Sequence, residues 1–333
     1  MNHLLTGILA ALVATNQPAA LSNLVKQTTG LSVKIPDPND PVEKEYQKLL
    51  QDDDDGQEEA GKWIREAEAF AGKGADTPYN TLQLRIRERL GKIGKAYEEF
   101  LQRHPKHARA RLAYGSFLQE TGEEEKGVEQ MEKSRELDPT NPAAWNNLAN
   151  YYGHRGPPKK SFGYYEKAIE LNPNEAVYYW NFAVTVYLFR QDVREYYHLT
   201  ESEVFDKALD LYRQALKHDP KNFELATDYA QSFYGTNPAR LEDGFKAWED
   251  TLKIARDEVE REGVYVHFAR IQLMQGKFDE ARKNLNSITN EMYAGLKGTL
   301  TRKLEKKEAE AKTNAVPARV ELEKKSEPAK ADK

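Results

Sequence analysis

Histidine and carboxylate side chains are the groups in this sequence most able to do chemistry, so their spacing decides which chemistry to expect. His104 and His107 lie three residues apart, a spacing that lets two imidazoles share a metal ion on one helix. Pro105 lies between them and ends a helix there, because its ring cannot continue the hydrogen-bond ladder. The run Asp52 to Asp55 lacks the spaced ligands and turn glycine of a calcium loop. We therefore expect no metal site at either place, and we interpret the acidic run as a solvated loop that begins a helix.

Motifs for nucleophilic catalysis and phosphate binding are also missing from the sequence. The chain has no cysteine, which excludes disulfides, thiolate metal sites and cysteine nucleophiles. No serine occupies a nucleophile-elbow pattern, and no glycine-rich loop follows a strand-like run. We therefore predict a protein that is not an enzyme and holds no cofactor. An enzyme with an unrecognised site is the alternative.

The composition is typical of an elongated helical protein. Of the 333 residues, 39% are hydrophobic and 31% are charged, and the mean hydropathy of -0.82 is polar for a compact globule. The formal net charge is only -5, so no global basic field attracts nucleic acid, and we expect no nucleic-acid partner.

The N-terminal residues differ from the rest of the chain. Leu4 to Ala14 is uncharged and mostly apolar, and small residues follow it, as in a secretory signal peptide cleaved near residues 20–22. Its apolar core is too short for a comfortable membrane span, and no other stretch of the sequence is suited to cross a membrane. The segment lacks a Lys or Arg at its start, so a soluble helix is the alternative. We expect export to a periplasm or the extracellular space, with a cytoplasmic location as the alternative.

A period of 34 residues runs through the middle of the chain. Pro105, Pro139 and Pro173 are spaced by 34 residues, and Pro220 follows 47 later, which is 34 plus an insertion of 13. Each proline follows a similar lead-in, and a proline just past a helix stops that helix. A large residue followed by a small one recurs in each unit, which lets two helices cross closely. These pairs are Tyr114–Gly115, Leu148–Ala149, Phe182–Ala183, Tyr229–Ala230 and Phe268–Ala269.

The repeat resembles the tetratricopeptide repeat family, whose unit is a 34-residue antiparallel helix pair. Residues 142–175 match the family pattern best. The matching positions are Trp145, Leu148, Ala149, Tyr152, Tyr165, Ala168 and Pro173. The resemblance implies an all-α fold, a right-handed α-solenoid of antiparallel helix pairs, with about five to six repeats and a C-terminal capping helix.

Repeat matches and composition together divide the chain into segments. Met292, Leu296, Leu300 and Leu304 recur every fourth residue near the end, so one face of a terminal helix is expected to cover the last repeat. The predicted segments are a signal peptide at 1–22, an acidic and proline-rich linker at 23–54, a degenerate helix pair at 55–107, repeats at 108–141, 142–175, 176–222, 223–261 and 262–295, a capping helix at 296–312 and a disordered charged tail at 313–333.

The insertion lies in the repeat at 176–222. Apolar residues continue there at helical spacing, which predicts a first helix extended by about three turns. Thr200 stands three residues before Glu203, a capping-box pattern that predicts the start of the next helix. Tyr196 and Tyr197 either form a partner patch or pack on the neighbouring helix, and we favour packing.

The family resemblance places the first helix of each pair on a concave inner face that suits an extended peptide or a partner helix. Asn147 and Asn181 occupy equivalent places in adjacent repeats, and in some relatives an Asn at this place grips the ligand backbone through both ends of its amide. Asn is common there across the family, so bridging between helices is the alternative. The predicted binding residues on this face are Asn147, Asn150, Asn181, Trp180, Val184, Tyr187, Gln231, Tyr234 and Arg270.

The chemistry of the inner face predicts the class of ligand. Relatives that hold the carboxylate-terminated tails of chaperones use a Lys and Arg clamp, but the matching positions here are Leu112, Ser116, Val177 and Asn181. The inner face instead has an apolar, aromatic centre, formed by Val177, Trp180, Val184, Tyr187 and Leu188. Such a centre suits a peptide or helix with apolar anchors. We therefore predict a non-catalytic protein–protein interaction scaffold with an unidentified protein or peptide partner. A structural subunit of a cell-envelope or secretion assembly, joined through the insertion edge, is the alternative.

Overall fold

The computed structural model describes residues 37, 39–71 and 79–325, so the predicted signal peptide at 1–22 lies outside the described residues. Within those ranges no residue forms a strand, and the all-α repeat prediction is confirmed. In chain order the helices are α1 (Pro41–Ala71), α2 (Tyr79–Arg103), α3 (Ala108–Glu120), α4 (Glu124–Leu137), α5 (Pro142–Arg155), α6 (Pro158–Leu171), α7 (Ala176–Leu188), α8 (Arg190–Tyr197), α9 (Glu201–His218), α10 (Phe223–Ser232), α11 (Leu241–Leu252), α12 (Glu258–Gln275), α13 (Phe278–Asn286) and α14 (Ala294–Lys325), with 3₁₀ turns at Phe233–Gly235 and Glu291–Tyr293.

The helices form two compact units, residues 1–185 and 186–333, which we call unit 1 and unit 2. The division falls inside α7. In unit 1, α1 packs on α2, α3 on α4 and α5 on α6. In unit 2, α10 packs on α11 and α12 on α13, while α14 packs against both α12 and α13. Consecutive helices therefore pair as the 34-residue period requires.

Side-chain caps begin the first helices of several repeats. Asn141 Oδ1 accepts a hydrogen bond from the Ala143 amide at 3.1 Å. A proline follows at the first helical position, where its lack of an N–H costs no hydrogen bond because that N–H would have no acceptor within the helix. Asn222 Oδ1 caps α10 in the same way, accepting the Leu225 amide at 3.0 Å. The predicted repeat starts at 108, 142, 176 and 223 coincide with the first residues of helices. The fifth predicted start, at 262, falls inside α12. This helix begins earlier, at Glu258, because the Asp257 side chain caps it by accepting the Glu260 amide.

Close contact between α3 and α4 occurs at a pair of glycines. A Cβ atom on Gly115 would lie 2.8 Å from the carbonyl oxygen of Gly127, and a Cβ on Gly127 would lie 2.7 Å from the carbonyl oxygen of Gly115. Next to this crossing, the rings of Tyr97 and Tyr114 stack with centroids 5.2 Å apart. The pair Tyr114–Gly115 thus marks a place where the two helices of this repeat cross closely.

The N-terminal helix is longer than the sequence predicted. Helix α1 begins at Pro41, so residues 41–54 of the predicted linker are helical, and the predicted helix pair is present but begins at residue 41 and not at 55. The acidic run is in the middle of this helix and not in a loop. Asp52 pairs with Arg89 at 2.8 Å, and Asp53 Oδ2 accepts a hydrogen bond from the Tyr97 hydroxyl at 2.6 Å. Partners on α2 stabilise two of the four acids, which explains why a helix tolerates the run.

The insertion forms a separate short helix. Helix α7 ends at Leu188 and α8 follows after one turn residue, so the predicted continuous extension is wrong. Helix α8 ends at Tyr197, and the residue that caps it, His198, has a left-handed φ of 57°. The capping box is confirmed, because Thr200 Oγ1 accepts the Glu203 amide while the Glu203 carboxylate accepts the Thr200 amide. Tyr197 packs against α9, where the Lys207 ammonium lies 4.2 Å from its ring centroid.

The C-terminal helix differs from the prediction in length and in contact face. Helix α14 continues to Lys325, so the predicted capping helix at 296–312 is too short and residues 313–325 are helical, not disordered. Residues 326–333 lie outside the described part of the chain. Leu300 and Leu304 are buried against α12 and α13, but Leu296 is 55% exposed and Met292 is 72% exposed. Only half of the predicted four-residue stripe therefore covers the last repeat, and Met292 lies in a 3₁₀ turn before the helix begins.

A buried carboxylate ties α12 to the start of the C-terminal segment in unit 2. Glu262 is 1% exposed, and its oxygens accept hydrogen bonds from the Thr289 hydroxyl at 2.7 Å, the Thr289 amide at 2.9 Å and the Asn290 amide at 2.7 Å. These bonds, led by the Thr289 hydroxyl, lower the pKa of Glu262 and keep the carboxylate charged.

Candidate functional site

The first helices of unit 1 present a common surface. On α7, Val177, Trp180, Asn181 and Val184 follow at helical intervals of three, four and seven, so they share one side of the helix. Hydrogen bonds between asparagine and serine side chains link this side to the corresponding sides of α5 and α3. We call this surface the first-helix face, and its residues are Leu112, Ser116, Asn147, Val177, Trp180, Asn181 and Val184.

An amide relay connects the three first helices. Asn181 Nδ2 donates to Asn146 Oδ1 at 3.1 Å, and Asn146 Nδ2 donates to Asn147 Oδ1 at 3.3 Å. Asn147 Nδ2 then donates to Ser116 Oγ on α3 at 3.3 Å. The relay brings the predicted residues Asn147 and Asn181 together, but through a buried third asparagine. Both also carry out the bridging role that the sequence left open as the alternative.

The relay leaves hydrogen-bonding capacity on the two outer asparagines. Asn147 and Asn181 are half-buried, whereas Asn146 is only 5% exposed. Within the described part of the chain, Asn181 Oδ1 accepts no hydrogen bond and Asn147 uses one of its two N–H groups. Each can therefore offer a donor or an acceptor to a ligand without breaking the bridge.

The predicted residue Asn150 is committed to the core. Its Oδ1 accepts a hydrogen bond from the Tyr165 hydroxyl at 2.7 Å, and the same hydroxyl lies 3.0 Å from Thr185 Oγ1. Tyr165 is fully buried, and this burial raises its pKa to about 12, so the hydroxyl stays protonated and donates. Asn150 thus satisfies a buried tyrosine, which its position one turn after Asn146 did not reveal.

Apolar exposure on the first-helix face is concentrated on α7. Val177 is 39% exposed, and Trp180 and Val184 are half-buried. None of the seven residues of the face carries a charge. This composition matches the predicted apolar centre and contains no cationic clamp for a terminal carboxylate.

In unit 2 the predicted residues fall into separate environments. Tyr187 packs edge-on against Phe205 with ring centroids 6.2 Å apart, and its hydroxyl lies so close to Gly235 that a Cβ there would be 2.3 Å from the oxygen. Gln231 is exposed on α10. Tyr234 and Arg270 are brought together, with the guanidinium carbon 4.4 Å from the ring centroid.

His267, which is not among the predicted binding residues, is the centre of this cluster. His267 stacks on the buried Trp248 with ring centroids 3.9 Å apart, and its Nδ1 lies 3.0 Å from the Tyr234 hydroxyl. Burial, with the nearby Arg270 charge, lowers the pKa of His267 to about 4. Burial also raises the pKa of Tyr234 to about 12, so at neutral pH the phenol and the imidazole are both uncharged and share one hydrogen bond.

Side chains that could together hold a metal ion are not assembled in the described ranges. No cluster of three or more His, Cys, Asp or Glu side chains there is arranged to hold a metal ion. The described helices also include none that is long and apolar enough to span a membrane. His104 and His107 instead pack on Phe100, with centroids at 4.8 Å and 5.1 Å.

Sequence reasoning missed two features. Asn146, the buried centre of the relay, looks like any polar helix residue, and only its neighbours in space distinguish it. Lys303 and Lys307 line a groove between α12 and α14 together with Arg270. Their spacing of four on one helix was the available signal, since it places both on one face.

Comparisons with known proteins identify the repeats. Models of the tetratricopeptide repeat match residues 95–142 and residues 142–175. The peroxisomal targeting signal receptors of Komagataella phaffii (strain GS115 / ATCC 20864) and Komagataella pastoris are each 37% identical over 82 residues, which cover 25% of this chain and 14% of the receptor. The chain therefore spans about one seventh of the length of these curated relatives.

A solved structure extends the likeness of the fold beyond those repeats. The structure of PilW, a widely conserved type IV pilus biogenesis factor, aligns with a TM-score of 0.51 at 14% identity, covering 73% of this chain and 98% of that chain. At this identity the likeness concerns the fold alone. The two family models show that this chain contains tetratricopeptide repeats at residues 95–175, and the helix pairs that continue through α13 share their fold with PilW.

Proposed function

We propose that this protein is a non-catalytic scaffold that binds an extended peptide with apolar anchors on the first-helix face of unit 1. Tetratricopeptide repeat proteins are generally interaction scaffolds without catalytic activity, which supports the class. The observation that carries the specific proposal is the uncharged, partly exposed first-helix face with amides at regular intervals. An apolar anchor can bury itself against Val177 and Val184, while Asn147 and Asn181 serve the free N–H and C=O groups of an extended backbone.

Peptide display on the intact chain, followed by affinity measurement, tests this proposal. We expect selected peptides to be rich in apolar residues and poor in charge. The double variant Asn181→Ala, Val184→Ser is expected to bind them about tenfold more weakly, which corresponds to ~1.4 kcal/mol. Selection of strongly acidic or strongly basic peptides would contradict the proposal.

Two control variants separate ligand contact from helix bridging. Asn146→Ala breaks the relay at its buried centre but leaves the exposed amides in place. It is expected to retain most of the peptide affinity, whereas an equal loss in this variant would show that the asparagines only bridge helices. Asn174→Ala changes an exposed asparagine in the preceding turn, outside the face, and is expected to bind like wild type.

We further propose that the protein is exported, and this proposal is supported by the sequence of residues 1–22 alone. In its native host the mature protein is expected to begin near residues 20–22 and to be recovered outside the cytoplasm. Mass spectrometry of the N-terminal peptide after cell fractionation measures both. Recovery of the intact N-terminus from the cytoplasmic fraction would contradict export.

A further inference from the structure

We propose that a groove between α12 and α14 in unit 2 is a second binding site, which takes an acidic amphipathic helix of a partner protein. This site lies outside the first-helix face and is independent of the function proposed for it. The groove has a volume of about 550 Å³, and we call it the C-terminal groove. Its floor contains Val266, Leu273 and Leu300, and its cations are Arg270, Lys303 and Lys307.

The floor of the C-terminal groove is apolar and partly open to solvent. Val266, Leu273 and Leu300 belong to the core that joins α12, α13 and α14, and each remains between 4% and 8% exposed. Beside them Met274 is 48% exposed and Leu296 is 55% exposed. Large apolar side chains exposed next to a concave apolar surface mark a place where a partner can exclude water.

The cations of the groove form no ion pair with the side chains that the structure describes. Arg270 contacts the Tyr234 ring, and among those described side chains no carboxylate pairs with Arg270, Lys303 or Lys307. No Asp or Glu is among the residues that line the groove. Elsewhere on the same helices carboxylates are paired, as Glu308 is with Arg282 at 2.7 Å. The groove is thus a local basic surface on a chain whose net charge is -5.

Both properties together define the partner. A basic margin beside an apolar floor is complementary to a surface on which apolar anchors are flanked by Asp or Glu side chains. The floor offers no amide side chain to the N–H and C=O groups of an extended backbone, in contrast to the first-helix face. A helix satisfies those groups internally and can present apolar anchors at i, i+3, i+4 and i+7 to a groove. An acidic amphipathic helix therefore matches the groove in charge, in polarity and in backbone requirement.

Lysine spacing also indicates how the helix is held. Lys303 and Lys307 are separated by one turn on α14, so their ammonium groups can meet carboxylates one turn apart on the bound helix. Leu296 stands two turns before Lys303 on the same helix and also lines a smaller cavity with Val266 and His267. Apolar anchors are expected near Leu296, and carboxylates are expected near the two lysines.

The test uses the full chain and a designed labelled peptide. The probe has about 18 residues, or ~27 Å of helix, with leucines at i, i+3, i+4 and i+7 and glutamates beside them. A twin peptide carries lysine in place of each glutamate. We expect saturable binding of the acidic peptide, at least about tenfold tighter than binding of the twin, and weaker binding at high salt. Absence of saturable binding, or equal binding of the twins, would overturn the proposal.

A pair of charge-reversed variants localises the site. Lys303→Glu with Lys307→Glu is expected to weaken the acidic peptide about tenfold or more. Arg302→Glu with Lys306→Glu is the matched control, because it makes the same change in net charge at the same spacing on α14 but outside the residues that line the groove. Equal weakening in both variants would show only long-range attraction and would overturn the assignment to the groove.

Further arms address apolar anchoring and other occupants. Met274→Gln changes a half-exposed anchor contact and is expected to weaken binding while circular dichroism stays unchanged. Anionic vesicles or single-stranded DNA that displace the peptide more effectively than unlabelled acidic peptide would replace the protein partner with a membrane or a nucleic acid. Sedimentation that shows a dimer lost in the Lys303→Glu, Lys307→Glu variant would assign the groove to a second copy of this chain. Either outcome overturns the proposal, and neither depends on the first-helix face.

Discussion

Replacement of Gly115 by alanine is expected to lower the free energy of unfolding by about 3 kcal/mol, the upper part of the range for an added methyl group in a tightly packed contact. The new Cβ would lie 2.7 Å from Met131 Cγ and 2.8 Å from the Gly127 carbonyl oxygen. Neither atom can move away cheaply, since one is backbone and the other belongs to a side chain that is fully buried. Helices α3 and α4 would have to separate, and the contacts along their whole interface would weaken with them.

Gly91 supplies the matched control for this prediction. It lies inside α2, and a Cβ there would meet no atom within 4 Å. Gly91→Ala is therefore expected to stabilise the protein by about 0.5–1 kcal/mol, because alanine restricts the unfolded chain and favours the helix. Urea unfolding followed by circular dichroism measures both variants. If Gly115→Ala were as stable as Gly91→Ala, the close crossing of α3 and α4 would not be a determinant of the fold.

Acidification is expected to destabilise the protein through His267 before the carboxylates titrate. The pKa of this imidazole is lowered from 6.5 to about 4 by burial and by Arg270, and Lys303 and Lys307 line the same groove. A group with a depressed folded pKa that must stay neutral binds a proton more readily in the unfolded chain. Its contribution to stability is present above pH 6.5 and is lost as the pH falls towards 4. Between about pH 7 and pH 5 the loss is about 2 kcal/mol.

The variant His267→Gln tests the origin of this loss. Glutamine does not titrate, so the difference in unfolding free energy between about pH 7 and pH 5 is expected to shrink by about 2 kcal/mol relative to wild type. The variant will be less stable than wild type at neutral pH, because it loses the stacking on Trp248. His154→Gln, at an exposed position in α5, is the control for histidine substitution in general. An unchanged pH dependence in His267→Gln would contradict the assignment.

Repeat boundaries were accessible to sequence reasoning because they depend on local chemistry. Asn141 and Pro142 specify a helix start within three residues, and Thr200 with Glu203 does so within four. The acidic run at Asp52–Asp55 misled the prediction, because its acceptability in a helix depends on Arg89 and Tyr97, which are about 40 residues away in the chain. Local propensity yields to tertiary contacts at such places.

The candidate sites divide in the same way. The 34-residue period alone placed Asn147 and Asn181 on one face, because residues one period apart occupy equivalent positions in successive repeats. It did not reveal that Asn146 joins them, that Asn150 serves Tyr165, or that Leu296 is left exposed while Leu300 is buried. These outcomes depend on the angle and distance at which one helix meets the next. They differ from repeat to repeat, so the sequence period does not predict them.

By itself, the sequence of this protein determined the all-α repeat architecture and the residues at which four of the repeats begin. Caps and large–small pairs are set within a few residues, and the period follows from comparing segments along the chain, so none of them requires knowledge of the tertiary fold. Only the tertiary structure decided which amides bridge and which stay available, how far α14 extends past the last repeat, and that three unpaired cations gather around an apolar groove. Those properties arise where helices from different repeats meet, since burial and charge pairing are set there by neighbours that the chain order does not place side by side.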